Sequence, residues 1–152
     1  MTPGTIRGSI VGERVAWVRQ MLDGLRQLPL HSIESFRQDP RNPAAAESYL
    51  RRAIEALLDL GRHILAKGFG VAAAESKDIA DGLVKAGVLA DEDGSVLRKM
   101  AGYRNRMVHF YHEVSTEELY RLCSERSSDI DRLCGALTVW LKRTPERMDP
   151  DI

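Results

Sequence analysis

Eight consecutive residues, Arg104-Asn105-Arg106-Met107-Val108-His109-Phe110-Tyr111, place an arginine, an amide, an imidazole and a phenol in one short span. An arginine stays protonated and offers a planar fork of donors suited to phosphate oxygens. Histidine is the side chain whose ordinary titration range spans cellular pH, so His109 is the acid or base candidate of the set. Such a set could grip a phosphodiester and move a proton beside it. In metal-free cleavage of RNA the 2′-hydroxyl attacks its own neighbouring phosphorus, with His109 assisting proton transfer and Arg104 meeting the charge that builds on the oxygens. DNA lacks that hydroxyl, so the chemistry requires RNA and needs no cofactor.

Helical geometry constrains how these groups meet. At 100° per residue Asn105 and His109 fall about 40° apart and could touch, whereas Arg104 and His109 are about 140° apart. Arg104 and Tyr111 differ by about 20° and share a face if the helix runs on. For Arg104 and His109 to surround one phosphate, the helix must loosen near His109 or a second subunit must complete the site. A plainer role also fits: an arginine and a histidine near a helix C-terminus favour the negative end of its dipole, and Phe110 and Tyr111 could simply pack.

The elements that carry this span read as helices. Val11, Val15, Val18, Leu22 and Leu25 line one face of a first helix that Pro29 ends. Leu30 to Asn42 reads as a connection with a short turn near Ser32 to Phe36. Asn42 and Pro43 resemble a helix start, with the amide as cap. The helix that follows, to about Lys67, has one apolar row at Tyr49, Ala53, Ala56, Leu57, Leu60 and Ile64. A second row at Leu50, Ile54, Leu58 and Leu65 makes it the central helix, stopped by Gly68-Phe69-Gly70. A shorter helix spans about Lys77 to Ala86 before Gly87, and Asp91-Glu92-Asp93-Gly94 reads as turn. Val96, Met100, Tyr103 and Met107 form the row that delivers the motif. The last helix starts at a capping box of Ser115 and Glu118, with Val114 against Leu119, and runs past Cys123, Ile130, Leu133, Leu137 and Trp140 to a stop near Pro145. The fold class is all-α: an antiparallel bundle of about four main helices plus a short one.

Composition bounds the rest. The chain has 152 residues, 43% of them hydrophobic, enough for one domain over 1–152 with its own core, residues 1–9 being a flexible start. No apolar run approaches the roughly 18 residues of a membrane span, and no leader of secretory type opens the chain, so a cytoplasmic protein without membrane association is expected. Cys123 and Cys134 sit too far apart on one helix for a disulfide, and no spacing suits a metal. They read as packing residues. Lys plus Arg and Asp plus Glu number 22 each, for zero net charge. Yet from Ser95 to His112 there are Arg98, Lys99, Arg104, Arg106, His109 and His112 and no carboxylate. That stretch is either a local anion site or a solvated helix face. His63, one turn after Asp59, suits a structural role, and His31 offers nothing specific.

The order RNxxxHxY at the end of a helical segment resembles the signature of HEPN-domain toxins, and in particular their HepT-like branch. The similarity spans roughly Glu13 to Leu141: Ala53 to His63 looks like that family's central helix, Ala86-Gly87-Val88-Leu89 like its connecting turn, and Arg98 to Arg106 like the approach to its active site. The resemblance implies a ribonuclease toxin with Arg104 and His109 catalytic and Asn105 supporting. It also implies a nucleotidyltransferase antitoxin that transfers AMP from ATP to Tyr111, and a homodimer in which two motif helices share a cleft around the RNA substrate. The alternative it leaves open is a non-catalytic helical module that binds a nucleotidyltransferase or a nucleotide.

Overall fold

The computed structural model describes residues 5–149. Its helices are α1 (Gly8–Arg26), α2 (Ile33–Arg37), α3 (Arg41–His63), α4 (Ser76–Lys85), α5 (Asp91–His109), α6 (Thr116–Arg121) and α7 (Ser127–Arg143). The four long ones, α1, α3, α5 and α7, form the expected all-α bundle, with α4 as its short addition and α2 and α6 as still shorter pieces. Among the described residues, extended pairing is limited to one bridge between Ile6 and Met148, and no helix is long and apolar enough to cross a membrane.

α3 is central because both of its apolar rows find partners. Leu50, Ala53, Ile54, Leu57, Leu58 and Leu60 are buried, α1 packs along one side, and α4, α5, α6 and α7 take the others. Burying each of the leucines and the isoleucine contributes about 1.5–3 kcal/mol, which outweighs weak intrinsic helix propensity. Where α3 crosses α4 the backbones approach closely at Gly61. A Cβ there would lie 2.8 Å from Ile79 Cγ2 and 3.0 Å from Leu83 Cδ1. α3 ends in a π turn, Ile64–Gly68, then Gly70 at φ 65°, and α4 ends before Gly87 at φ 79°, so the glycine stops stand where the sequence puts them.

Several boundaries differ from the sequence reading. Asn42 does not cap α3. The helix begins at Arg41, whose N–H donates to Asp39 Oδ1, while the Asn42 side chain turns back to donate to the Phe36 carbonyl at 3.3 Å. Asp91 to Gly94 is not a turn but the first turn of α5, where three carboxylates suit the positive end of the helix dipole. Position 94 suits a glycine there, because an added Cβ would strike Val84 on α4. The turn near Ser32 is the short helix α2, with Ser32 Oγ accepting from the Ser35 N–H. A π turn at Leu122–Arg126 joins α6 to α7 and interrupts what the periodicity presents as one regular helix.

The expected flexible start covers residues 1–9, of which 1–4 lie outside the described residues; within the remainder α1 already begins at Gly8. Ile6 is fully buried, its N–H donates to the Arg147 carbonyl at 2.8 Å, and its carbonyl accepts from Asp149. Arg147 in turn donates to the Gly68 carbonyl at 2.7 Å and lies over the Phe69 ring, sealing the end of α3.

Candidate functional site

α5 delivers the motif at its last two turns and stays helical through His109, with Phe110 as the residue that ends it at φ −134° and ψ 41°. The chain then makes a tight 3-10 turn, Tyr111–Glu113, before α6. Two consequences follow. The 140° separation of Arg104 and His109 holds, because nothing unwinds between them. The shared face of Arg104 and Tyr111 does not, because the helix stops two residues short of the phenol.

Arg104 is partly buried against α3. Its Nε lies 3.5 Å from Glu55 Oε1, and its Nη1 donates to Asn105 Oδ1 at 3.1 Å. Asn105 therefore braces the guanidinium rather than the imidazole. The Nη2 edge of Arg104 makes no hydrogen bond or ion pair among the described residues, which leaves one side of the fork for a ligand. Arg106 is engaged differently. Its two terminal nitrogens donate to both oxygens of Glu118, at 2.6 and 2.8 Å. This bidentate contact raises the arginine further and holds the Glu118 carboxyl below the usual carboxylate range, the side-chain hydrogen bond being the main cause in each case. Of the motif's two arginines, Arg106 has both terminal nitrogens committed to Glu118, while Arg104 keeps Nη2 without a partner among the described residues.

His109, Phe110, Tyr111 and His112 are all exposed, Tyr111 at 72%. The Tyr111 and His112 rings meet edge to face at 5.9 Å. A groove of about 780 Å³ opens beside the other face of α5. Arg104, Asn105, Ala101, Gly102 and Arg98 form one wall, and Glu55, Asp59, Arg62 and Lys77 stand across it. His109 is not part of that lining. The basic stretch seen in the sequence is thus partly neutralised in space: Arg98 pairs with Asp81, Arg104 with Glu55 and Arg106 with Glu118. Among the described residues no cluster of three or more His, Cys, Asp or Glu is placed to hold a metal ion.

Two site neighbours escaped the sequence reading. Glu55, on α3, carries no local signal that it faces Arg104, since only the packing of α3 on α5 brings them together. Glu118 was expected to reach back to the Ser115 backbone. Ser115 Oγ does accept from the Glu118 N–H at 3.1 Å, but the Glu118 carboxylate goes to Arg106 instead. An ionised, two-point partner outcompetes a single backbone N–H. His63 has the structural role its position suggests, with Nε2 accepting from the Arg7 N–H that begins α1 at 3.0 Å.

A family model described as "Ribonuclease HepT-like" matches residues 18–137, a span that contains the whole motif. The chain belongs to the HepT-like family. Among solved structures, this HepT-like chain is similar to a tri-AMPylated HEPN toxin of Shewanella oneidensis in complex with its MNT antitoxin. The two are 21% identical at a TM-score of 0.77, over 86% of this chain and 97% of that one. A toxin-antitoxin complex with AMP-PNP is 20% identical at a TM-score of 0.76, over 84% and 97% of the two chains. YutE, described as a cytosolic protein of unknown function from Bacillus subtilis, is 22% identical at 0.73, over 89% and 90%. At these identities the likenesses establish the shared helical fold. No curated protein matches the sequence.

Proposed function

We propose that this HepT-like chain is a toxin that cuts RNA without a metal and is silenced when a nucleotidyltransferase antitoxin adenylylates Tyr111. The observation that carries the reading is the motif's division of labour within a family-matched span. Arg104 has a free donor edge, His109 is exposed at a helix end, and Tyr111 stands well out in solvent.

In the cleavage step the RNA 2′-oxygen bonds to the adjacent phosphorus, and the bond to the 5′-oxygen breaks. The products are a 2′,3′-cyclic phosphate and a 5′-hydroxyl. The 2′-hydroxyl gives up its proton and the departing 5′-oxygen takes one up, His109 assisting this transfer while Arg104 meets the phosphate charge and Asn105 holds the guanidinium. Acid-base help of this kind is worth about 10²- to 10⁴-fold in rate. In silencing, the Tyr111 oxygen bonds to the α-phosphorus of ATP, pyrophosphate leaves, and the phenol proton goes to solvent. The added AMP places a bulky anion beside the catalytic pair, blocking RNA by volume and by repulsion.

Because α5 is helical through His109, one protomer presents Arg104 and His109 on different sides of the same helix. A homodimer whose two motif helices face each other supplies the missing convergence. The toxin then acts in the cytoplasm as a single HEPN-type domain per protomer. The same separation favours a second reading, a non-catalytic helical module that docks a nucleotidyltransferase or binds nucleotide and presents Tyr111. Expression without the antitoxin separates the two: growth arrest and RNA cleavage that persist in chelator, both lost in His109→Ala, support the toxin. Arrest that survives His109→Ala unchanged overturns it.

A further inference from the structure

Every residue from Val108 to Glu113 is exposed, so the stretch that carries His109 and Tyr111 contributes no side chain to the core. Its flanking anchors are Met107, buried on α5, and Leu119, buried on α6, with Val114 half-buried between them. An exposed loop anchored so sparsely samples many conformations unless polar contacts fix it. The contacts that do so converge on one residue. The Arg106 guanidinium takes both oxygens of Glu118, and its Nη2 also points at the Glu113 carbonyl at 3.4 Å. Its own carbonyl accepts from the Phe110 N–H at 2.8 Å. The turn is completed by Glu113 N–H to the Phe110 carbonyl at 2.9 Å and Val114 N–H to the Tyr111 carbonyl at 3.2 Å.

We propose that Arg106 and Glu118, twelve positions apart, form a clamp that positions His109 and Tyr111, bridging α5 to α6 across the connection 110–115 so that both groups stand in fixed places. This rests on the proposed function for its consequences, while the clamp itself is a matter of conformation. Arg106 is a positioning residue, since both of its terminal nitrogens are occupied by Glu118. The Glu118 partner is held in turn: its own N–H bonds Ser115 Oγ, which fixes the first turn of α6. The geometry explains why two arginines stand so close in the motif with different tasks. Arg104 faces the groove with Nη2 open, and Arg106 spans to α6 with both terminal nitrogens engaged.

The test pairs a structural readout with a catalytic one in the full chain. Arg106→Gln, Glu118→Gln, Arg106→Lys and the swap Arg106→Glu with Glu118→Arg are compared with wild type. Hydrogen exchange reports amides 109–114 against those of α3, and cleavage of a mixed-sequence oligoribonucleotide gives kcat and KM. Breaking the clamp should speed exchange of the 109–114 amides about tenfold or more while α3 is unchanged, because only the local opening equilibrium shifts. It should lower kcat about tenfold with KM within about threefold, since placement of the proton-transfer group is lost and groove contacts are not. The swap should recover most of both, and Arg106→Lys, which keeps charge but loses the two-point geometry, should fall between. Unchanged exchange in Glu118→Gln overturns the clamp whatever the activity. Faster exchange with unchanged kcat overturns its positioning role. A wild type that cuts no RNA defeats the proposed function, and the exchange result then still decides the clamp.

Discussion

Glu55 Oε1 lies 3.5 Å from Arg104 Nε and 3.3 Å from Arg51 Nη1, so one carboxylate oxygen answers two guanidinium groups on different helices. Glu55 fixes Arg104 at the edge of the groove, yet it also puts a negative charge where an RNA phosphate would arrive. Arg51 keeps a second partner in Glu47 at 2.9 Å, so its own place does not depend on Glu55. On the proposed function, Glu55→Gln should lower KM for a short oligoribonucleotide about two- to fivefold at low salt, with kcat within about threefold. The advantage should fade as salt is raised. Loss of kcat beyond that range would make Glu55 part of the catalytic machinery rather than a counter-ion.

On the proposed function, Tyr111 separates silencing from cutting. Its phenol is 72% exposed and its ring touches His112, so removing the hydroxyl disturbs no buried bond. Tyr111→Phe should retain wild-type cleavage within about twofold while gaining no mass on incubation with the nucleotidyltransferase and ATP. Intact-mass spectrometry reads the outcome, and undiminished modification would move the target to another side chain, with half-buried Tyr103 the next to examine.

His63 gives the fold a pH dependence away from the motif. Burial, and then the nearby Lys67, Arg7 and Arg14, push its imidazole below the ordinary 6.5. The folded state therefore holds it neutral, with Nε2 accepting from the Arg7 N–H. A depressed value means the unfolded chain binds the proton first, so this stabilisation is complete above about pH 6.5 and drains away as pH falls towards the folded value. Because the ring is only partly buried, the effect is modest: the melting temperature of wild type should drop by about 1–2 °C more than that of His63→Gln between pH 7.5 and pH 5. Equal pH profiles for the two proteins would show that the Arg7 contact carries no such linkage.

Both thiols should be inert in the native protein. Cys123 is fully buried and its thiol is pushed up to about 12, and burial also raises Cys134. Since the thiolate is the reactive form, a disulfide-exchange reagent at pH 8 should label neither within an hour and both once guanidinium unfolds the chain. Prompt labelling of the folded protein would mean that α6 or α7 opens locally.

How much of this was legible in the sequence follows from the range of each interaction. Rows such as Leu50, Ile54, Leu57 and Leu58 announce α3 because burial repeats with the helical period. Gly70 and Gly87 announce stops because positive φ is a local demand. The start of α5 departs from the sequence reading because Asp91 to Gly94 favours both a turn and a helix N-terminus, and residue types alone do not decide between them. At the site, residue types named the candidates, but the tasks of Arg104 and Arg106 depend on Glu55 and Glu118, whose nearness is a product of packing.

Two glycines within the bundle should respond oppositely to the same substitution. At Gly61 a methyl group would press on Ile79 and Leu83, so Gly61→Ala forces α3 and α4 apart and should cost about 1–3 kcal/mol despite alanine's better helix propensity. At Gly102, on the wall of the groove, an added Cβ meets nothing within 4 Å. Gly102→Ala should therefore gain about 0.5–1 kcal/mol through reduced backbone freedom in the unfolded chain. Chemical denaturation of both variants measures the signs directly. The Gly102 variant carries a second readout: if the backbone there is an approach route for RNA, the more stable protein should cut more slowly, through a higher KM. Gain of stability with unaltered KM would place the bound strand elsewhere along α5.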